Sequence, residues 1–443
     1  MCRRITKWLP LLCSLLLLAC PPYPGVTTHT VTYHPNGATS GSVPVDGNQY
    51  APGATVTVLG NTGNLTRDNH TFEGWNTNAL GTGTSYSPGD TFTIGNANVT
   101  LYALWKPVCI TSISAGSQHT LFLKSDGSLW ATGSNQNGQL GDGQPWNRST
   151  PAKIMDAVKA MSAGGFHTHI IKTDGTLWAA GLNEWGELGD GTWTERSVPV
   201  YIDAGVLAVQ GGAFHTFILK AGGALYATGD GTYGRLGDPL CQTRNVPYFI
   251  MNHVSTTAPG DEHSMILCDD GSLYATGRNQ YGQLGTGSVA DSTSPVFIMN
   301  NVAAVAVGEH YSMILQQDGT LLATGRNQYG QFGNGTTTGS TTPVAVMTDV
   351  AAVSCGAWHT LILKTDGTLL GAGRNADGQL GDGLGMDHAS PFIIATDVIA
   401  IEAGGRHSFF MKADGSVYAM GDNTWGQLGD GTNQDRYEPT RIF

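Results

Sequence analysis

The sequence predicts an all-β protein, a small strand-built N-terminal domain followed by a seven-bladed β-propeller. Three observations carry this. Residues 108–443 are seven copies of one 48-residue unit, with no insertion or deletion between them. His119, His167, His215, His263, His359 and His407 fall 48 apart, with Tyr311 in the remaining slot, and Pro151, Pro199, Pro247, Pro295, Pro343, Pro391 and Pro439 keep the same step. A fixed period in this range marks a solenoid, a propeller or an array. Each copy also carries one and the same set of strand signals. Finally, the first and last copies match the repeat as well as the middle ones do. Open solenoids need atypical polar caps, whereas a ring has no ends to cap.

The chain begins with a targeting signature. Arg3, Arg4 and Lys7 precede an almost wholly apolar run at 9–18, too short to span a bilayer as a helix. The ending Leu17-Leu18-Ala19-Cys20 resembles the bacterial lipobox, a Leu three residues before an acceptor Cys with a small residue between. This implies a signal peptide over 1–19, lipid on Cys20 and a place in the bacterial cell envelope, at the cell surface or outer membrane. Residues 20–30, rich in Pro and Thr, then form a polar tether.

Residues 31–107 alternate as strands do, in VTY at 31–33, TVTV at 55–58, TFTI at 91–94 and TLYALW at 100–105, with no helical period rising above this. The segment resembles the internalin-type B-repeat through VTY (31–33), NGA (36–38), PGA (52–54), FEGWNT (72–77), Tyr86, Gly89 and LYALW (101–105). The resemblance implies a β-grasp-like spacer or adhesive stalk with no chemistry attached.

Within the repeat, copy two illustrates the pattern: strand-like runs at 158–164, 167–172 and 176–181, then a loop and a shorter run at 199–202. Asp174-Gly175 separates the second and third runs, and Asp-Gly favours a two-residue hairpin because the turn needs positive φ. Six copies carry Asp-Gly there and the third carries Gly222-Gly223. Each copy therefore reads as a four-stranded meander, the unit of a propeller blade. The first run is rich in Ala, Ser and Gly, as suits the strand nearest a crowded axis.

The recurring pieces G-x-x-H-[ST], D-G-[ST]-[LV]-[WYL] and G-x-N-x-x-G-Q-L-G-D-G, as in GSQHT at 116–120 and GSNQNGQLGDG at 133–143, are similar to the regulator of chromosome condensation repeat family. The likeness covers 108–443 and implies the propeller. Its members include a nucleotide-exchange factor for a small GTPase, an ultraviolet-B photoreceptor and a secreted β-lactamase inhibitor, so function must be argued from surfaces.

Several chemistries find no support. Only 13% of residues are charged and the formal balance is −12, with no basic run beyond the first residues, which disfavours a nucleic-acid partner. The histidines recur once per blade, so they cannot converge on one ion; hydrogen bonding within their own blade is expected instead. Asp430-Gly-Thr-Asn-Gln-Asp435 lacks the later Glu of a calcium loop. Glycine-rich stretches such as 373–378 have no helix behind them to cradle phosphate. Cys109, Cys241, Cys268 and Cys355 form no close pair. No nucleophile–base set departs from the repeat, so no catalytic residue, metal or cofactor is expected.

What varies between copies is more informative. In a meander the loops after the first and third strands share one face. Their varying positions are Gln118, Phe166, Phe214, Glu262, His310, Trp358 and Arg406, and Asn137, Trp185, Tyr233, Tyr281, Tyr329, Asp377 and Trp425. Eight of these fourteen are Phe, Tyr or Trp, against 9% aromatic residues in the chain. Either the rings pack between blades or they form a contact surface. The expectation is that Phe166, Trp185, Phe214, Tyr233, Tyr281, Tyr329, Trp358 and Trp425 bind a protein or carbohydrate. The alternative is a GTPase nucleotide-exchange regulator.

Overall fold

The computed structural model describes residues 27–443, so the expected signal peptide and Cys20 lie outside the described residues. The chain divides between Val108 and Cys109 into two compact units. Among the described residues no helix is long and apolar enough to cross a membrane.

The first unit is a four-stranded sheet beside a two-stranded ribbon. Val31–His34 runs parallel to the long strand Val99–Pro107, which pairs on its other side antiparallel to His70–Asn76. Thr55–Thr57 and Thr91–Thr93 form the ribbon. Alternation within these strands sends Val31, Tyr33, Val56, Leu101 and Ala103 into one core around the fully buried Trp75. Trp75 Nε1 donates to the Leu59 carbonyl (2.9 Å), and the Leu59 N–H donates to Tyr33 Oη (2.8 Å), so both polar tips are satisfied. The strands His70–Asn76 and Ser85–Tyr86 are absent from the alternation signal. Gly74 (φ +140°) marks a register shift between Phe72 and Gly74, which breaks the period there.

In the second unit each 48-residue copy forms one four-stranded antiparallel sheet, giving seven sheets over 110–155, 158–203, 206–251, 254–299, 302–347, 350–395 and 398–441. They are called blades 1 to 7 below. Copy two becomes Val158–Ala163, His167–Lys172, Leu177–Gly181 and Arg196–Asp203, so the fourth strand is longer than its apolar run suggests. All four strands of every blade come from a single copy, and no blade is completed by a strand from elsewhere.

The ring closes. Around the axis, backbone amides bond to the next blade: Gly165 N–H to Gly212 O (2.9 Å), Ala213 N–H to Gly260 O (3.0 Å) and, from last blade to first, Gly405 N–H to Gly116 O (3.0 Å). Such close approach explains the small residues of the first strand. A Cβ on Gly212 would lie 2.6 Å from Gly260 O. Further out, Phe122 and Phe409 meet edge-on at 5.7 Å across the same last-to-first seam.

The histidine column has a different role from the one expected. Each imidazole bonds to the next blade, not within its own. His119 Nε2 meets Thr168 Oγ1 at 3.0 Å, His167 meets Thr216 at 3.1 Å, His215 meets Ser264 at 2.8 Å and His407 meets Thr120 at 3.0 Å. The His-Ser/Thr dipeptide thus supplies both halves of an inter-blade clasp, the His reaching forward and the hydroxyl receiving from behind. Tyr311 does the same with a longer arm, its Oη donating to the His359 carbonyl at 2.6 Å.

Candidate binding face

The loops after strands one and three do emerge on one face, and polar side chains fix the second of them. In blade 2, Asn183 Oδ1 accepts from Leu188 N–H (3.1 Å), its Nδ2 donates to Asp190 Oδ1 (3.1 Å), and Glu187 Oε2 accepts from Trp185 N–H (2.9 Å). The residue at the Trp185 position therefore has its backbone tied down and its side chain free to vary. Blade 3 departs from this scheme. Gly231 stands in place of the Asn and Arg235 in place of the Gln or Glu, Arg235 pairs with Asp230 at 3.1 Å, and Tyr233 sits at φ +61°, a left-handed conformation unusual for an aromatic residue.

The eight expected aromatic residues do not make one apolar patch. Phe166 and Phe214 lie with ring centroids 6.1 Å apart at the rim of an axial cavity of about 380 Å³. Trp185 is 43% exposed and Trp425 half-buried, each apart from the other rings. Tyr233, Tyr281, Tyr329 and Trp358 belong to an array threaded with arginines across blades 3 to 6. The Arg278 guanidinium is 4.8 Å from the Tyr233 ring centre, and Arg326 lies 4.8 Å from Tyr281 and 5.0 Å from Trp358. His310 stands between Tyr281 (5.0 Å) and Trp358 (5.4 Å), and Tyr329 meets Trp358 at 5.6 Å. Glu262 holds Arg278 through both oxygens, at 2.7 and 2.5 Å. The rings thus bridge blades while Tyr233 keeps 37% of its surface open.

Two sets of residues here escaped the sequence reading. One is the arginine column Arg278, Arg326 and Arg374, one residue after the third-strand glycine, where the other blades have Ser134, Leu182, Asp230 and Asp422. The other is Asp261 and Glu309 on the wall of the axial cavity, where the column otherwise reads Ser117, Gly165, Ala213, Ala357 and Gly405. Burial pushes the Glu309 carboxyl up to about 7, with Asp261 and Glu262 adding to the effect and Arg326 and Arg406 opposing it. Burial likewise raises Asp261, helped by Glu262 and opposed by Arg235 and Arg278. Comparing these two columns copy by copy would have found both sets.

Among the described residues no group of three or more metal-type side chains is placed to hold an ion. Asp430 is committed to its own loop, accepting from Thr432 N–H (2.9 Å) and pairing with Arg436 at 2.5 Å.

Comparison with known proteins separates the two units. Residues 29–104 match the Listeria-Bacteroides repeat domain. The Regulator of chromosome condensation (RCC1) repeat matches 110–139, 254–283, 302–331, 350–379 and 398–427 in one description and 126–171, 174–219, 270–315, 318–363 and 414–443 in another. Two curated relatives from Evansella cellulosilytica carry only provisional names. One, a membrane protein, is 39% identical over 80 residues, or 18% of this chain and 12% of its own length. The other, a Gly-rich membrane protein, is 55% identical over 42 residues, or 10% and 5%. The chain thus spans a small fraction of either relative. Human WBSCR16 superposes with a TM-score of 0.64 at 22% identity, over 71% of this chain and 93% of that one. Prp20p of Saccharomyces cerevisiae, whose structure was described with its binding to Gsp1p and histones, gives 0.64 at 22% over 76% and 87%. At such identity the likeness is one of fold. The five repeats matched by each description, lying between 110 and 443, settle the kinship: the chain belongs to the regulator of chromosome condensation (RCC1) repeat family.

Proposed function

We propose that this protein is a non-catalytic binding protein of the bacterial cell envelope, anchored by lipid on Cys20, whose propeller offers its aromatic loop face to a protein or a glycan. The observation that carries this reading is the array Tyr233, Arg278, Glu262, His310, Tyr281, Arg326, Trp358 and Tyr329. Binding energy in protein contacts concentrates in Trp, Tyr and Arg anchors. Here aromatic rings and arginines stand together across blades 3 to 6, on the face where loops can vary without disturbing the ring. Rings already held by stacked guanidinium groups lose little freedom on binding, which favours affinity. The name of the curated relative supports association with a membrane.

The test uses the mature chain on a sensor surface against cell-surface proteins and a glycan array. A ligand that loses affinity on Trp185→Ala and Trp358→Ala, but not on Asp270→Asn at the opposite turns, supports the reading. A ligand indifferent to all three counts against it. The exchange-factor alternative predicts instead accelerated release of bound guanine nucleotide from a small GTPase.

A further inference from the structure

Four of the seven seams carry a side-chain tie between first strands, and at the ring-closing seam that tie is a carboxyl, whereas Gln210, Ala258 and Ala306 hold the same position at the other three. In the column two residues before the glycine of the histidine clasp, Ser114 Oγ accepts from Ala163 N–H (3.0 Å), Ser162 Oγ from Gly211 N–H (2.9 Å) and Ser354 Oγ from Ala403 N–H (2.9 Å). Each ties the first strand of one blade to the first strand of the next. Between blade 7 and blade 1 the same tie is made by a carboxylate: Glu402 Oε1 accepts from Ala115 N–H at 3.1 Å. Glu402 lies on the wall of a cavity of about 220 Å³ between these two strands, whose other walls include Ile113, Ile401, Phe409 and Phe410.

We propose that Glu402 is a protonation-dependent latch on the ring: uncharged, it holds blade 7 to blade 1, and ionised, it draws water into the seam and loosens it relative to the three serine-tied seams. A lone N–H does not offset the cost of removing a carboxylate from water, so ionisation here must bring water in or move the strand out. The cavity has room for water beside the carboxyl.

Among the described residues no charged group is placed to compensate an ionised Glu402. Ile110–Ala115 carries no titratable group, and Val398–Ala403 carries only Glu402. On the strands packed behind them, His119 and His407 are turned to Thr168 and Thr120. Lys124 and Lys412 sit over the Trp130 and Tyr418 rings, and Lys159 on the adjoining strand of blade 2 is exposed. In agreement with this, burial pushes the Glu402 carboxyl up to about 7, with the Ala115 N–H opposing. The group therefore changes charge near neutral pH. Serine at the other ties cannot.

Hydrogen exchange of the full chain, read by mass spectrometry at pH 5.5 and 8.0 and corrected for intrinsic exchange, tests the latch. The segment holding Ala115 should lose about tenfold protection at the higher pH, while the segments holding Ala163 and Gly211, tied to serines, keep theirs. In Glu402→Gln the three segments should respond alike at both pH values. Equal pH response of the three segments in the wild type overturns the proposal, and so does a pH-sensitive Ala115 segment in Glu402→Gln. If that variant fails to fold, the wild-type comparison alone still decides.

Discussion

His407 Nε2 lies 3.0 Å from Thr120 Oγ1, and that hydroxyl gives its only proton to the Gln427 carbonyl at 2.8 Å. The imidazole must therefore donate, which fixes it as the neutral Nε2–H tautomer. The same logic holds at His119, where Thr168 Oγ1 donates to the Gln139 carbonyl at 2.6 Å. One hydroxyl thus ties the second strand and the loop after the third strand of the preceding blade, and the last-to-first seam uses the same device as an internal one.

Replacing Thr120 by Val keeps the volume and removes both bonds, leaving a buried N–H and a buried carbonyl without partners. The expected loss is about 2–4 kcal/mol, since each orphaned buried group costs ~1–3 kcal/mol. Thr168→Val should cost a similar amount, because in a closed ring no seam is terminal. Urea unfolding at pH 6 compares them. A Thr120→Val variant near wild type beside a crippled Thr168→Val would mean that the ring is open in solution.

The clasp histidines, with the buried His169, also set a pH dependence. Burial lowers His119, His263 and His359 to about 3 and His169 and His407 to about 4. Their native pKa lies below the unfolded value of about 6.5, so their stabilisation is complete above that value and is lost as pH falls toward 3–4. Each contributes up to ~3 kcal/mol in that window. Glu187, Glu309 and Glu402 act oppositely. Burial raises each to about 7, so their contribution is present below the ordinary value of about 4.5 and is lost as pH rises to 7. The histidines outnumber the carboxyls, so the urea midpoint should climb from pH 4 to about 6.5, decline slightly between about 6.5 and 7.5, and then level off. A midpoint that rises steadily through pH 8 would contradict the carboxyl assignments.

The repeat made the fold legible. An invariant period fixes where each strand and turn must fall, and Asp-Gly with positive-φ glycines such as Gly175 marks the hairpins unambiguously. The N-terminal domain was less so, because the register shift at Gly74 hides the strand His70–Asn76 from a period-two search. In the site, aromatic residues stood out by type, whereas Arg278, Arg326, Asp261 and Glu309 did not. Their meaning lies in contacts between blades, 48 or so residues apart, and single-sequence periodicity does not show which neighbours face each other. The histidine clasp was misplaced for the same reason: the spacing is identical whether the partner is in the same blade or the next.

Cys20 lies outside the described residues, and its lipidation rests on the lipobox alone. Metabolic labelling with a fatty-acid analogue should tag the wild type and leave Cys20→Ser unlabelled, with the serine variant released from the membrane fraction. Label retained by Cys20→Ser would place the anchor elsewhere and remove the basis for an envelope location.

The binding face admits the sharpest test, provided folding is controlled. Trp185, Trp358 and Trp425 are the largest expected anchors, and truncation of an anchor commonly costs ~2 kcal/mol or more, about thirtyfold in affinity. Their surroundings make the expected effects unequal. Trp358 is wedged among Arg326, His310 and Tyr329, so Trp358→Ala should disturb the whole array and lower thermal stability as well as binding. Trp185 is 43% exposed, so Trp185→Ala should weaken binding with an unchanged melting temperature, and Trp425→Ala should fall between. Asp270→Asn preserves the acceptor for Ser272 N–H (2.9 Å) in the opposite turn and should leave both quantities intact. Calorimetric titration of the identified partner, paired with thermal melts, separates the cases. If the stably folded Trp185→Ala and Trp425→Ala proteins bind as tightly as wild type, these two rings are bystanders. If Trp358→Ala also binds normally once its stability is restored by a compensating change, the aromatic array is packing between blades and the partner docks elsewhere.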